Sequence, residues 1–343
     1  MKQPSHSDWS ALYQVAITFK SSAPWKWVDN EYLFAVENPV DGEVGYCSIL
    51  GSGGQEFGLG MLVGEQGYHR FTDILKAEDE TQDFEAGVKA PSISLLFVDR
   101  DVLQKEDREV IRSLGLRFRG RNAWPFFRSQ KPGYIPWFLE KEEATLLTTA
   151  IHQALAVASS VQNGNLDPWA RERDSAILTR CYRDDRWTEE WRKPPTGRTH
   201  GQETDKEDIG PVQEAELQLV SSWAEAYSGV WELDIFALPM PVAPTASEAD
   251  RPYYPLCFLA VERKLGLVVA VNITNPWLTT SEKRNQLIQI FKKANQLPSE
   301  VRIKSDKLRG TVEPITDALG IKIRVASLPM LQQAKAHLYE RFT

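Results

Sequence analysis

At 343 residues and 38.9 kDa, the chain exceeds one typical hydrophobic core, so two domains are expected. An apolar share of 42% with 25% charged residues excludes a disordered chain. No apolar run approaches the roughly 18–20 residues of a membrane span, and no apolar stretch follows Met1 as in a secretory leader. Three scattered cysteines (Cys47, Cys181, Cys257) lack zinc-ligand spacing and cannot all pair, which points to free thiols in a cytoplasmic protein.

In chain order, Ser7 or Asp8 is expected to cap a first helix carrying Trp9, Leu12, Tyr13 and Ala16 at helical spacing and ending before Pro24. Three strand-like runs follow, Tyr32–Val36, Gly45–Leu50 and Phe57–Val63, separated by turn residues at hairpin-like intervals, so an antiparallel meander is expected. A helix over 65–78, with Tyr68, Phe71, Ile74 and Leu75 on one face, would cover that sheet. Ile93–Val98 reads as a strand, Glu106–Leu114 as a helix, and the stretch from Arg117 to Phe138 as a long loop. Ala144–Val161 is apolar on most sides and is expected to be a central helix.

From 163 to 250 the pattern weakens. Trp169, Trp187 and Trp191 sit among charges, and Pro194-Pro195 with the polar run Thr196–Asp208 reads as a linker. A helix over 211–227 and a strand at Trp231–Phe236 come next. The remainder has a clear order: strand Leu256–Glu262, a turn at Lys264–Gly266, strand Leu267–Ile273, helix 282–296, strand Val301–Ser305, helix 311–319, strand Ile321–Ala326 and helix 328–342. The expected organisation is an N-terminal α+β domain over 1–162, a connecting segment over 163–250 that can belong to either neighbour, and an α/β domain of order ββαβαβα over 251–343.

Charge divides unevenly. Residues 251–343 hold 15 Lys/Arg against 7 Asp/Glu, a net of +8, in a chain whose total is −7. A basic module joined to an acidic one suits contact with an acidic partner, whether nucleic acid, a protein surface or its own N-terminal half. Candidate anion contacts are Arg117, Arg119 and Arg121 in an arginine-aromatic stretch, and Lys304, Lys307 and Arg309 in the basic domain.

Several catalytic patterns are missing. Gly51-Ser52-Gly53-Gly54 has no Lys-Ser/Thr and no helix behind it, so it reads as a hairpin turn. The histidines form no pair at metal spacing, His152 reads as a satisfied core residue, and no Gly-x-Ser-x-Gly elbow occurs. Two carboxylates remain: Glu262 at the end of one strand and Asp306 just after another, as a metal-dependent phosphodiesterase would place them. A third is lacking. The last helix has an expected buried stripe of Leu331, Ala334, Leu338 and Phe342, with Glu340 opposite it, and Asp317 lies late in the preceding helix.

Residues 252–343 resemble a degenerate ribonuclease-H or retroviral-integrase core. The segment from Pro298 to Asp306, followed by Leu319-Gly320-Ile321, is similar to the integrase segment around its second catalytic aspartate. The sequence departs from that pattern in Glu262 for aspartate, Lys307 for asparagine and the unmatched third acid. The whole chain also resembles an uncharacterised bacterial two-domain family, through Pro24-Trp25-Lys26-Trp27, Gly45–Gly51, Gly120–Pro125 and Pro132–Trp137. That resemblance implies no activity. The expectation is a non-catalytic binding protein without a cofactor; Mg or Mn would enter only if Glu262 and Asp306 served a nuclease.

Overall fold

The structure is a computed structural model that describes residues 2–74, 80–167, 176–196, 229–243, 251–294 and 296–341. Its elements are α1 (His6–Ser22), β1 (Leu33–Glu37), β2 (Val44–Leu50), β3 (Gly58–Val63), α2 (Gly64–Ile74), α3 (Glu80–Val88), β4 (Ser92–Val98), α4 (Lys105–Ser113), β5 (Trp124–Gln130), α5 (Lys141–Gln162), β6 (Ile177–Arg183), β7 (Arg186–Arg192), β8 (Val230–Ala237), β9 (Leu256–Glu262), β10 (Leu267–Thr274), α6 (Thr280–Ala294), β11 (Glu300–Ile303), α7 (Asp306–Ala318), β12 (Lys322–Val325) and α8 (Pro329–Glu340). They form two compact α+β units, each around its own mixed sheet. One unit comprises Met1–Ala77, Lys89–Pro132 and Pro136–Arg198; the other comprises Glu78–Val88, Gly133–Ile135 and Thr199–Thr343.

The first unit holds a seven-stranded sheet of order β5-β4-β3-β2-β1-β6-β7. The expected meander is present: β1 to β5 pair antiparallel in succession, and β6 joins β1 in parallel before turning back into β7. Gly58 opens β3 because a Cβ there would meet the Leu95 carbonyl oxygen at 1.9 Å. Helices α1 and α5 pack together over the sheet, burying Leu12, Phe19, Leu147, Ile151 and Ala154 with Phe34, Ile49 and Leu95. Helix α5 is long and apolar enough to cross a membrane, but its apolar residues serve this core.

Three expectations need correction here. Helix α1 is capped by Ser5, whose hydroxyl accepts from the Asp8 amide while the Asp8 carboxylate accepts from the Ser5 amide, a reciprocal box two residues upstream of the expected start. Trp124–Gln130 is a strand and not part of a loop: Pro125, Phe127 and Ser129 alternate inward, and β5 is an edge strand, where a proline is tolerated. His152 is exposed on α5, because the apolar face of that helix turns away from it.

The hairpin β6–β7 went unread because it is densely charged, although its turn residues Asp184 and Asp185, both at positive φ, are a hairpin signal. Trp187 and Trp191 lie on β7; Trp169 and the helix expected over 211–227 fall outside the described residues. Glu37 is held by Arg183 and by Arg192, the latter at 2.8 Å. The hydrogen bonds from Arg183 foremost hold its carboxyl below the usual range, against the opposing effect of burial. Since the folded value lies below the unfolded one, this stabilisation is present above about pH 4.3 and is lost as pH falls through the folded value. Urea midpoints at pH 7 and pH 3 should therefore differ less in Glu37→Gln than in the parent; an unchanged gap would show that Glu37 carries none of the acid sensitivity.

The second unit holds a five-stranded sheet of order β10-β9-β8-β11-β12. Strand β9 runs antiparallel to β8 and β10, while β8, β11 and β12 are mutually parallel. The expected order of strands and helices after 251 is present, but the sheet needs β8 in front of it: that strand alone connects the hairpin pair to the parallel pair. Residues 177–192 join the first sheet and 230–237 the second. Helices α6 and α7 cover one face, burying Leu287, Phe291, Val312 and Ile315 against Trp231, Leu233 and Phe258. Helix α8 packs on β8 and β9 from the other side, and α3 packs on β8.

Candidate functional site

Because alternate side chains of a strand point to opposite faces, β8 sends Trp231 and Leu233 toward one layer and Glu232, Asp234 and Phe236 toward the other. Two acids thus enter the layer beneath α8. Glu232 is fully buried, accepts from the Arg263 guanidinium, and accepts the Leu331 amide at 2.8 Å. That amide lies in the first turn of α8, where it has no partner within the helix, so the sheet itself caps the helix with a carboxylate. Asp234 lies 4.0 Å from the Lys335 ammonium, which also pairs with Glu85 of α3. The same ammonium rests 4.4 Å from the centre of the Phe236 ring.

Tyr339 donates to the Ala237 carbonyl at 2.6 Å, and burial with the nearby Glu85 charge pushes its phenol well above the ordinary range. The adjacent Cys257 thiol is driven up to about 12, mainly by burial, and is no nucleophile. This cluster ties α8 to β8 and to α3. The stripe expected for this helix, Leu331, Ala334, Leu338 and Phe342, does not include Lys335; the buried residues of α8 are Leu331, Lys335 and Tyr339.

Glu262 and Asp306 are not brought together. Glu262 stands opposite Trp231, which also stands opposite Val301, so Glu262 lies level with the start of β11. Asp306 follows the end of β11 and opens α7. The strand that Glu262 ends and the strand that Asp306 follows are separated by β8, about 10 Å laterally at the usual strand spacing, and the acids lie toward opposite ends of the sheet, whereas metal ions about 4 Å apart need carboxylates that converge on one place. Each has a local role instead: Glu262 accepts the Leu265 amide at 2.6 Å in the β9–β10 turn, and Asp306 accepts from Arg309 at 2.9 Å. No group of three or more His, Cys, Asp or Glu with metal-ligand geometry occurs among the described residues.

The predicted anion contacts separate into two places. Arg117, Arg119 and Arg121 are exposed and have no ion-pair partner among the described residues, while Phe118 between them turns inward to Tyr13 and Trp124. Arg128, from the same stretch, is buried against Asp107. In the second unit, Lys304 and Lys307 flank the start of α7, exposed and without an ion-pair partner among the described residues. Arg309 is engaged by Asp306 and Glu313.

One surface was not anticipated. Strand β10 ends the second sheet, and Leu265, Leu267, Val268, Val271 and Ile273, in and beside it, are exposed. They make up five of the eleven large hydrophobic residues exposed among the described residues, a concentration that isolated surface apolar residues do not show.

Residues 9–180 match the model of a family described as a domain of unknown function (DUF7309), and residues 220–339 match another so described (DUF6930). No curated protein matches the chain.

Proposed function

The chain belongs to the DUF7309 family, whose description assigns no chemistry, and on the geometry of its own residues we propose that it acts by binding, its basic C-terminal segment over 251–343 contacting an acidic partner. The observation that carries this is the excess of +8 over residues 251–343, with Lys304 and Lys307 exposed at the end of β11 and without an ion-pair partner among the described residues. The first turn of α7 beside them adds the positive end of a helix dipole, which Asp306 only partly offsets. An acidic protein segment suits this surface better than nucleic acid does. The exposed large apolar residues described in the unit are all aliphatic, whereas single-stranded nucleic acid calls for aromatic stacking platforms.

We read the architecture of this unit as of ribonuclease-H type. Its support is a central first strand, one reversed strand beside it, and two parallel strands reached through helices. A nuclease activity receives no such support, given the separation of Glu262 from Asp306. Three unpaired, buried cysteines favour a reducing, cytoplasmic setting.

The test is the binding of a fluorescent polyglutamate, followed by anisotropy in about 50 mM and about 200 mM salt. Binding at the lower salt that weakens about tenfold at the higher, and that falls again in Lys304→Glu/Lys307→Glu, is the expected result. Absence of binding at low salt, or affinity indifferent to salt, would remove the proposal.

A further inference from the structure

The edge strand β10 differs from an ordinary sheet edge in two respects. First, its exposed side chains are apolar. Val271 and Ile273 stand opposite Leu259 and Cys257 of β9, so they continue the face that α8 buries. The helix packs on β8 and β9 and stops there, leaving Val268 and Ile273 each 53% exposed. Natural edges are usually blunted by charge, proline or a covering element, because an uncovered one is a template for another strand. Second, the backbone facing outward is already in use by a cation. The Lys293 ammonium of α6 donates to the Val271 carbonyl at 3.3 Å and to the Asn272 side-chain oxygen at 3.0 Å. The Val271 carbonyl therefore points away from β9, and in a strand so does the Val271 amide.

From these we infer that β10 accepts an extended peptide as a sixth strand, and that this peptide carries aliphatic residues at alternate positions and acidic residues at its flanks. The inference deepens the binding role proposed above and rests on it. An incoming strand would supply an amide to the Val271 carbonyl in place of Lys293, and its apolar side chains would cover Val271 and Ile273. Lys293, released, and Lys264 in the turn at the other end of the strand would face acidic flanks. A second copy of this chain fits less well. Antiparallel pairing of two β10 strands would bring the lysines of one near those of the other, since the surroundings carry the same sign on both.

Fluorescein-labelled nonapeptides provide the test: one of alternating valine and threonine with two glutamates at each end, one with lysines at the ends, and one with glutamate ends and backbone N-methyl groups on alternate valines. Anisotropy should show the acidic peptide binding about tenfold more tightly than the basic one, and the N-methylated peptide binding at least about tenfold more weakly, since it lacks the ladder amides. Hydrogen exchange should slow at Val271 and Ile273 on binding, and Val271→Pro, which removes only an outward amide, should weaken binding without loss of the ladder to β9. If the N-methylated and parent peptides bind alike, the strand-addition inference is overturned. It is equally overturned if sedimentation shows a dimer that Val271→Pro dissociates, because the occupant is then a second copy. Salt-dependent polyglutamate binding that persists while no nonapeptide binds would sink this inference and leave the broader one standing; failure of both probes would sink both.

Discussion

Replacing Lys335 by methionine should lower the stability of the C-terminal unit by about 3–5 kcal/mol, because it leaves the Asp234 and Glu85 carboxylates without their shared cation in a buried layer. Methionine keeps the length of the chain over Phe236, so packing changes little and the loss reports on charge. In a unit of this size the melting temperature should fall by roughly 10 °C. Hydrogen exchange at β8 and β9 amides gives a readout confined to the unit. Adding Glu85→Gln to Lys335→Met should recover part of the loss, since the double variant leaves one carboxylate there without that cation instead of two. If the single variant is as stable as the parent, the cluster is not what holds α8 to the sheet.

In the first unit the comparable position is Arg128. Its guanidinium donates to both Asp107 carboxylate oxygens at 2.9 and 2.7 Å and stacks 3.8 Å from the Phe126 ring centre and 4.6 Å from that of Phe138. Both charged side chains are buried. Arg128→Met should cost about 3–5 kcal/mol by leaving Asp107 unpaired, and Arg128→Lys about 2 kcal/mol, since the charge remains but the fork and the flat stacking surface do not. The order of the two variants is the informative result: equal losses would mean that geometry contributes nothing beyond charge. Chemical unfolding followed through exchange at the β4 and β5 amides measures it.

These two sites also show where sequence reading reached its limit. Most strands and helices were legible because their apolar residues recur with the period of the element, and the last unit could be read almost element by element. The Arg128 and Lys335 clusters were not legible, for a common reason. A buried charge is tolerated only when partners distant in the chain meet it: Glu85 lies 250 residues from Lys335. Periodicity sees one element at a time, so the stripe expected of α8 passed over Lys335, and β5 with its arginine and proline looked like a loop. Glu262 and Asp306 misled in the opposite direction: Glu262 ends β9 and Asp306 opens α7 shortly after β11, but strand order and direction put them at different ends of the sheet. The exposed strand β10 was read as a strand, yet its edge position follows only from the topology.

The make-up of the C-terminal unit bears on how the chain is born. Helix α3 and the tripeptide 133–135 belong to that unit, although each precedes its sheet in the chain. Val88 emerges from a ribosome far ahead of Ala237, and at synthesis rates of about 5–20 residues per second the delay is roughly 7–30 s. Throughout it Phe84 waits without Tyr254 and Tyr339, the rings it later meets edge-on. The nascent chain must therefore keep an early helix uncommitted while the strands around it assemble into another sheet, and a gene fragment cut at the start of the second matching region would be born without that helix at all.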